Sequence, residues 1–336
     1  MPQHYHLHGL RIRSASDHPA VDRMLRRTLR YKGAEATAGA DAADLMLDFS
    51  LERAAPAIPD AARHLGDSEH GDIGVWTTDD RMFLRRGDAM VSLHPASGRA
   101  EAALAPDLLA AHATQRRDPL FYLITFSLVI LLRYRGWFAL HTAALARDGR
   151  GLLLVAQSDS GKSTTTLNLV RHGWHYLSDD TVLLRPVGDR VQAHSFRRNF
   201  CVDPDATAHF PELAGHDWPP SLSDATKWQV DVELIYPGQF TPTCTPHLLV
   251  LPEIADAPES RVEPVDAKVA LAQLLDQGAF FLTPDRSIAS RHLDLFSQLI
   301  DQTRTYRLHA GRDLLEDDRT IHALLAPLLD PNTAPD

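Results

Sequence analysis

Lysine and cysteine are the scarce residues of this chain of 336 residues. Of 34 basic residues only four are lysines, and the others are arginines. The lysines are Lys32, Lys162, Lys227 and Lys268. Two cysteines, Cys201 and Cys244, cannot build a disulfide framework, so a disulfide-stapled miniprotein is excluded and we expect inert thiols. With so few lysines, the position of each becomes informative.

Long hydrophobic runs are also absent. The most apolar stretch, 120–132 (LFYLITFSLVILL), has 13 residues, whereas a membrane-spanning helix needs roughly 20. We therefore predict a buried helix there and no membrane partner. The first residues lack the basic start and apolar run of a signal peptide, so we expect a cytoplasmic location.

An excess of positive charge is missing as well. The formal net charge is −10, and clustered cations are what give proteins affinity for a phosphate backbone. We therefore expect no nucleic-acid partner. The composition, 44% hydrophobic and 23% charged, is that of an ordinary globular protein of one large or two modest domains.

The pattern of elements predicts two domains. Residues 4–13 have the alternation of a strand, 20–30 have helical spacing, and several short strand-like runs follow up to residue 93. These features predict a small α+β domain over 1–115. From 119 to 330 we predict a second domain in which a strand, a loop, a helix and a strand form a βαβ unit of a mixed sheet.

A phosphate-binding loop is predicted between that strand and helix. Gly161, Lys162 and Ser163 match the end of a Walker A motif, in which backbone N–H groups and a lysine surround phosphates and a hydroxyl holds Mg²⁺. Ala156 replaces the first glycine of the motif. The other predicted nucleotide contacts are Ser158, Asp159, Ser160 and Thr164. Asp159 is unexpected there, because a carboxylate beside a triphosphate should weaken binding.

Two adjacent carboxylates, Asp179 and Asp180, follow the next predicted strand. The ligand edge of such a sheet lies at the ends of its strands, so we expect this pair beside the loop. Phosphoryl transfer needs metal charge on the phosphates and a group that accepts or orients the proton of the attacking hydroxyl. Two neighbouring carboxylates can divide these tasks.

Three separate segments together resemble a known family. They are the run 141–145 (HTAAL), the strand and loop 151–163, and the run 173–180 (GWHYLSDD). In order and spacing they resemble the catalytic core of HPr serine kinase/phosphorylase and its relatives, a group that includes kinases tailoring lasso peptides. The resemblance covers 132–184. It implies an α/β fold with a P-loop on a mixed sheet, of the HPr kinase/phosphoenolpyruvate carboxykinase type, and a smaller N-terminal α+β domain.

The resemblance also implies roles for individual residues and the cofactors ATP and Mg²⁺. Lys162 would contact the β and γ phosphates, and Ser163 with Asp179 would hold the metal. Asp180 is our preferred general base, although the sequence does not separate it from Asp179. His141 would lie near the transferred phosphoryl group.

The chain also departs from the family. The downstream LEVRGLG signature of true HPr kinases is missing, so HPr is not the expected substrate. Lys227 lies where that signature might fall and is predicted either to contact phosphate or a peptide carboxylate, or to be an exposed loop lysine. The segment 195–200 (SFRRNF) is interpreted as an amphipathic strand, with a phosphate or acidic-peptide contact as the alternative.

Together these features predict an ATP- and Mg²⁺-dependent kinase acting on serine or another hydroxyl of a peptide or small protein, and the resemblance implies lasso-peptide precursors among the candidate substrates. A small-molecule kinase and a catalytically weak nucleotide-binding regulatory protein are the alternatives. The N-terminal domain would recognise substrate or only cover the sheet. The oligomeric state is left open.

Overall fold

The structure is a computed structural model that describes residues 1–39, 42–52, 55–68, 72–112, 116–157, 160–278 and 284–330. The chain divides into two compact units. The first is Met1–Trp137 with Pro220–Thr226 and Phe280–Ala289, and the second is Phe138–Pro219 with Lys227–Ala279 and Ser290–Asp336. This division groups residues differently from the predicted domains 1–115 and 119–330, which stay a prediction.

The first unit is built on one mixed sheet. Its strands are β1 Gln3–Leu7, β2 Leu10–Ser16, β3 Glu35–Thr37, β4 Leu45–Leu51, β5 Arg63–Asp67, β6 Gly74–Thr77, β7 Met82–Arg86, β8 Ala89–His94 and β9 Arg99–Leu104. Within the described residues the strand order is β3-β1-β2-β4-β9-β8-β7-β6-β5. The pairs β2–β4 and β4–β9 are parallel. All the other pairs are antiparallel.

Three helices accompany this sheet: α1 Pro19–Tyr31, α2 Pro106–His112 and α3 Pro119–Tyr134. The apolar stretch predicted as a buried helix is α3, in which 13 of 16 residues are buried. It begins where Asp118 accepts hydrogen bonds from the backbone of Leu120 and Phe121, and it ends before Gly136, whose φ is +81°. The prediction of a buried helix is confirmed.

The single strand predicted over 4–13 is wrong, because the chain turns back at His8 and Gly9. Both have positive φ, 48° and 83°, which is the conformation of the two central residues of a type I′ hairpin turn. The register Leu7↔Leu10 closes the hairpin between β1 and β2. The alternation of polar and apolar residues continues through the turn, so the pattern gave no indication of where the first strand ends.

The second unit contains the remaining elements. Its strands are β10 Phe138–His141, β11 Ala143–Arg147, β12 Arg150–Leu154, β13 His175–Ser178, β14 Thr181–Val187, β15 Arg190–Ser195, β16 Phe200–Val202, β17 Trp228–Val230, β18 Thr243–Cys244, β19 Pro246–Ile254, β20 Arg261–Pro264 and β21 Arg304–Ala310. Its α-helices are α4 Lys162–Arg171, α5 Ala267–Gly278, α6 Arg286–Gln302, α7 Asp313–Glu316 and α8 Thr320–Leu329. The first residues of α6, 286–289, are grouped with the first unit. Short 3-10 helices lie at Pro204–Ala208, Pro211–Leu213 and Val232–Leu234.

The strands of the second unit form separate sheets. Among the described residues, one sheet has the order β13-β11-β12-β19-β21-β20, another the order β10-β14-β15-β18, and β16 pairs with β17. The pairs β12–β19 and β19–β21 are parallel. The prediction of a mixed α/β fold is therefore confirmed. Within the described residues, no helix is long and apolar enough to cross a membrane.

The crossover from β12 through α4 to β13 positions the site. Because β12 and β13 both pair antiparallel with β11, they run in the same direction on either side of it. The predicted βαβ unit therefore exists with a third strand inserted between its two strands. The side chains of α4 that face the sheets, Leu167, Leu169 and Val170, belong to the core of this unit and are at most 1% exposed.

An acid-sensitive ion pair lies within the first unit. Arg116 binds both carboxylate oxygens of Asp224, with the shortest contact at 2.7 Å. Burial by itself would raise the pKa of Asp224, but the hydrogen bonds from Arg116 and Thr226 outweigh it and lower the pKa to about 2. The ionised carboxylate therefore stabilises the folded state at neutral pH.

We expect Asp224→Asn to lower the free energy of unfolding at pH 7 by about 1–3 kcal/mol. The stabilisation by Asp224 is present above its unfolded pKa of about 4 and is lost as pH falls toward 2. The variant should therefore lose less stability than wild type between about pH 5 and pH 3. Urea titrations at these pH values test this. The control is Asp79→Asn, at an exposed turn of the same unit. If wild type and Asp224→Asn lost the same stability on acidification, the prediction would be wrong.

Candidate functional site

The predicted phosphate loop joins β12 to α4. Ala156 is buried, and positive φ among the described non-glycine residues occurs only at His8 and Asp148, so its backbone does not require the glycine of the motif. Gly161 has a φ of +83°, which does require glycine, and its carbonyl accepts the first bond of α4 from Thr165 N at 2.9 Å. The buried Ser160 Oγ has no hydrogen-bond partner among the described residues. Ser158 and Asp159 lie outside those residues, so their contacts stay predictions.

Lys162 is held inside the loop. Its side chain is buried, and its ammonium donates to the carbonyl oxygens of Ala156 and Gln157, each at 2.6 Å. A cation buried against backbone carbonyls is a strong attractor for an anion, because the low dielectric around it strengthens the attraction. The loop therefore concentrates positive charge where the helix α4 also directs its N-terminal N–H groups.

Asp179 and Asp180 occupy the tight bend between β13 and β14. Ser178 fixes this bend, because its Oγ accepts hydrogen bonds from the backbone of Asp180 and Thr181 at 3.3 and 3.2 Å. Asp179 is 2% exposed, whereas the side chain of Asp180 is 30% exposed. The two neighbouring carboxylates therefore differ in access: one is internal, and the other faces solvent.

The loop and the acidic pair meet at Ser163. Its Oγ donates to Asp179 Oδ2 over 3.4 Å, and the same oxygen accepts from Cys201 N at 3.0 Å. Although β11 separates β12 from β13 in the sheet, the expected proximity of the two motifs is present. The reason is that α4 begins directly at the end of the loop and presents its first turn to the end of β13.

Arg197 is the residue of this site that sequence reasoning missed. Its side chain is 2% exposed, and it bridges the acidic pair through Nη2 to Asp179 Oδ1 at 2.5 Å and Nη1 to Asp180 Oδ2 at 3.3 Å. Arg198 points elsewhere, is half exposed, and contacts Glu233 and the ring of Phe240. The feature of the sequence that could have indicated this residue is the pair of arginines in 195–200, but the sequence does not say which of the two faces inward.

The electrostatics of the pair are dominated by burial. Burial raises the pKa of Asp179, the neighbouring Asp180 raises it further, and the Arg197 guanidinium with the Cys201 N–H opposes both. Two carboxylates and one guanidinium leave the cluster with one net negative charge when all are ionised. A further cation would therefore be favoured at the exposed side of the cluster.

His141 lies on the other side of Asp180. It ends β10, its Nδ1 is 3.6 Å from Asp180 Oδ1, and its side chain is mostly buried. Thr181 donates to Asp180 Oδ2 at 2.7 Å, and Thr142 N donates to the Asp180 backbone carbonyl at 2.8 Å. These contacts hold the carboxylate of Asp180 between an imidazole, a hydroxyl and a guanidinium.

Lys227 is half-buried and directly precedes β17. That strand pairs with β16, whose Cys201 donates its N–H to Asp179. Lys227 therefore lies on the hairpin that supports the acidic pair, and a direct contact from it to phosphate or substrate stays a prediction.

The oxygen atoms of this cluster suit Mg²⁺. A hydroxyl from Ser163 and carboxylates from Asp179 and Asp180 are the hard ligands that this ion prefers. Among the described residues, no group of three or more His, Cys, Asp and Glu side chains could hold a metal ion. Magnesium here would therefore depend on phosphate oxygens and water for the rest of its coordination, as is usual in nucleotide sites.

Comparison with known proteins finds a distant structural similarity and no sequence match. No protein-family model matches the chain, and no curated protein matches it. Among solved structures, the HPr(Ser) kinase/phosphatase from Coxiella burnetii is similar over 55% of this chain and 94% of its own, with 12% sequence identity and a TM-score of 0.30. A likeness at this level carries no inference about activity, so the sequence resemblance stays a prediction.

We expect Arg197→Met to lower the free energy of unfolding by about 3–5 kcal/mol, because it leaves the buried Asp179 without its cation. The matched control is Arg198→Met, which removes an exposed ion pair and should cost less than about 1 kcal/mol. Chemical denaturation of both variants measures the difference. Equal destabilisation by the two substitutions would show that the buried bridge of Arg197 contributes no more to stability than the exposed ion pair of Arg198.

Proposed function

We propose that this protein is an ATP- and Mg²⁺-dependent kinase with a phosphate loop of the P-loop type. The observation that carries the proposal is the 3.4 Å contact between Ser163, the hydroxyl of the loop, and Asp179 of the acidic pair. This contact brings the loop, with its buried lysine and helix N-terminus, next to the two carboxylates within one unit. Phosphoryl transfer needs positive charge on the phosphates and a group that accepts or orients the proton of the attacking hydroxyl, and these residues can supply both.

The residues of the site divide the work according to their access. Lys162 has a flexible stem that lets its ammonium move from the loop carbonyls to phosphate oxygens. Ser163 and Asp179 would hold Mg²⁺, which when bound supplies positive charge to the phosphates. Asp179 is buried and bound to Arg197, so it suits a fixed position rather than proton transfer.

Asp180 is the better candidate for the base. Its carboxylate is partly exposed and can reach the proton of an incoming hydroxyl, whereas Asp179 is enclosed. His141 lies beside this carboxylate, with its Nδ1 3.6 Å from Asp180 Oδ1, so a positive charge on its ring would favour the ionised base. Arg197 keeps the two carboxylates together by neutralising part of their repulsion.

We further propose that the acceptor is serine or another hydroxyl on a peptide or small protein, including the lasso-peptide precursors that the sequence resemblance implies. The N-terminal part of the chain would recognise that peptide or serve as an accessory domain. Two features support this class of acceptor: the partly exposed Asp180 and the sequence resemblance. The small-molecule kinase and the nucleotide-binding regulator are the alternatives that the test distinguishes.

The test is incubation with labelled ATP, Mg²⁺ and candidate peptides encoded beside the gene, followed by mass analysis for an added phosphate. We expect Lys162→Ala and Asp180→Asn each to reduce transfer by at least about 100-fold, because they remove charge stabilisation and proton acceptance. Lys268→Ala changes another of the rare lysines, on α5, and should leave transfer unchanged.

The pattern of results separates the three functions. Transfer to a free metabolite but to none of the peptides would favour the small-molecule kinase. ATP binding without transfer, unaffected by Asp180→Asn, would favour the regulator. Full activity of Lys162→Ala would contradict the site assignment itself.

A further inference from the structure

A second concave site lies along α4 in the same unit as the loop. It is a pocket of about 290 Å³, near the lower end of the range of small-molecule sites, roughly 300–1,000 Å³. Its lining residues from α4 are Thr164, Asn168 and Arg171. Ala208 and His209 line a second wall, and residues 314–318 line the third.

The pocket starts where the phosphate loop ends. Thr164 directly follows Ser163, and residues 164, 168 and 171 are spaced so that they share one face of a helix. At a rise of about 1.5 Å per residue, this face extends about 10 Å from the loop. A ligand whose phosphates lie in the loop can therefore continue into the pocket.

Asn168 supplies the pocket with a polar group. It is 6% exposed as a whole residue and lines the pocket, and none of the hydrogen bonds found among the described residues involves its side-chain amide. Its amide atoms are not among the buried side-chain atoms that lack a partner, so they reach solvent on the pocket side. The amide is therefore accessible to a polar ligand in the pocket.

Charge pairs fix the position of Arg171, one of the lining residues. Arg171 binds Glu212 through two nitrogens, with distances down to 2.6 Å, and binds Asp318 at 3.1 Å. Its guanidinium also lies 4.6 Å from the centre of the Phe210 ring. Because these partners engage Arg171, it shapes the wall, and the polar groups left for a ligand on this helix face are Thr164 and Asn168.

We propose that this pocket binds the nucleoside part of the nucleotide whose phosphates occupy the loop. A side-chain amide places a donor and an acceptor side by side, which matches the edge of an adenine base. The carboxylate of Asp317, which lines the pocket, can accept hydrogen bonds from ribose hydroxyls, and His209 can present its flat ring to the ligand. This inference rests on the proposed function, because it assumes that the loop binds phosphates.

The experiment compares Mg²⁺–ATP with Mg²⁺–tripolyphosphate by calorimetry, since tripolyphosphate has the phosphates of ATP and lacks its nucleoside. We expect wild type to bind ATP more tightly than tripolyphosphate. Asn168→Leu, which keeps the number and branching of the side-chain heavy atoms but loses the hydrogen bonds, should weaken ATP binding about tenfold and leave tripolyphosphate binding unchanged.

His209→Ala is the second variant, since it changes an exposed rim residue and does not endanger folding. His175→Ala, at another exposed histidine that lies outside the pocket, is its matched control. His209→Ala should weaken ATP binding but not tripolyphosphate binding, and His175→Ala should weaken neither. An unchanged ATP affinity in both pocket variants would overturn the pocket assignment while leaving the loop intact.

Two further outcomes are decisive. Equal affinity of wild type for ATP and tripolyphosphate would overturn the nucleoside pocket but not the phosphate loop, whereas binding of neither ligand would overturn the proposed function and the pocket with it. Photolabelling with 2-azido-ATP gives an independent reading. Crosslinks in 208–209 or 314–318 support the assignment, and crosslinks confined to other segments overturn it.

Discussion

The ion bridge of Arg197 is the interaction on which the rest of the site depends. Two carboxylates on adjacent residues repel each other, and one of them is almost fully buried. A single guanidinium that binds both from inside the protein allows the pair to exist at the end of β13. By using the inner faces of the carboxylates, Arg197 leaves the outer face of Asp180 available to solvent. The same interaction therefore stabilises the bend and separates the two carboxylates into an internal and an accessible one.

The crossover through α4 connects this bridge to the loop. One end of α4 carries Lys162 and Ser163, its inner face packs in the core, and its outer face lines the pocket that contains Asn168. A helix of only ten residues thus contributes to the predicted phosphate site, the hydrophobic core and the proposed nucleoside site. The outer face is anchored by Arg171, whose pairs with Glu212 and Asp318 bind α4 to two other segments of the unit.

Sequence patterns predicted the local elements well where one physical signal dominated. The apolar run of α3 and the Gly161-Lys162-Ser163 start of α4 are such cases. The hairpin at His8-Gly9 and the position of β11 between β12 and β13 in the sheet were not predicted. Strand pairing depends on which backbone groups meet in space, and local sequence patterns do not show this. The scarcity of lysine proved informative: Lys162 lies inside the loop, and Lys32 is buried about 5.5 Å from the centre of the Phe121 ring.

The sequence by itself determined the chemistry available to this protein: a lysine and a serine after a glycine, and two adjacent aspartates a short distance downstream. Residue type and local spacing suffice for that, because a loop and a helix start are made by neighbours in the chain. Only the tertiary structure decided that Arg197 rather than Arg198 binds the aspartates, that Asp180 is the accessible carboxylate, and that Asn168 faces a pocket. These choices depend on which side chains become buried when distant segments pack, and burial sets the strength of every charge and hydrogen bond in the site.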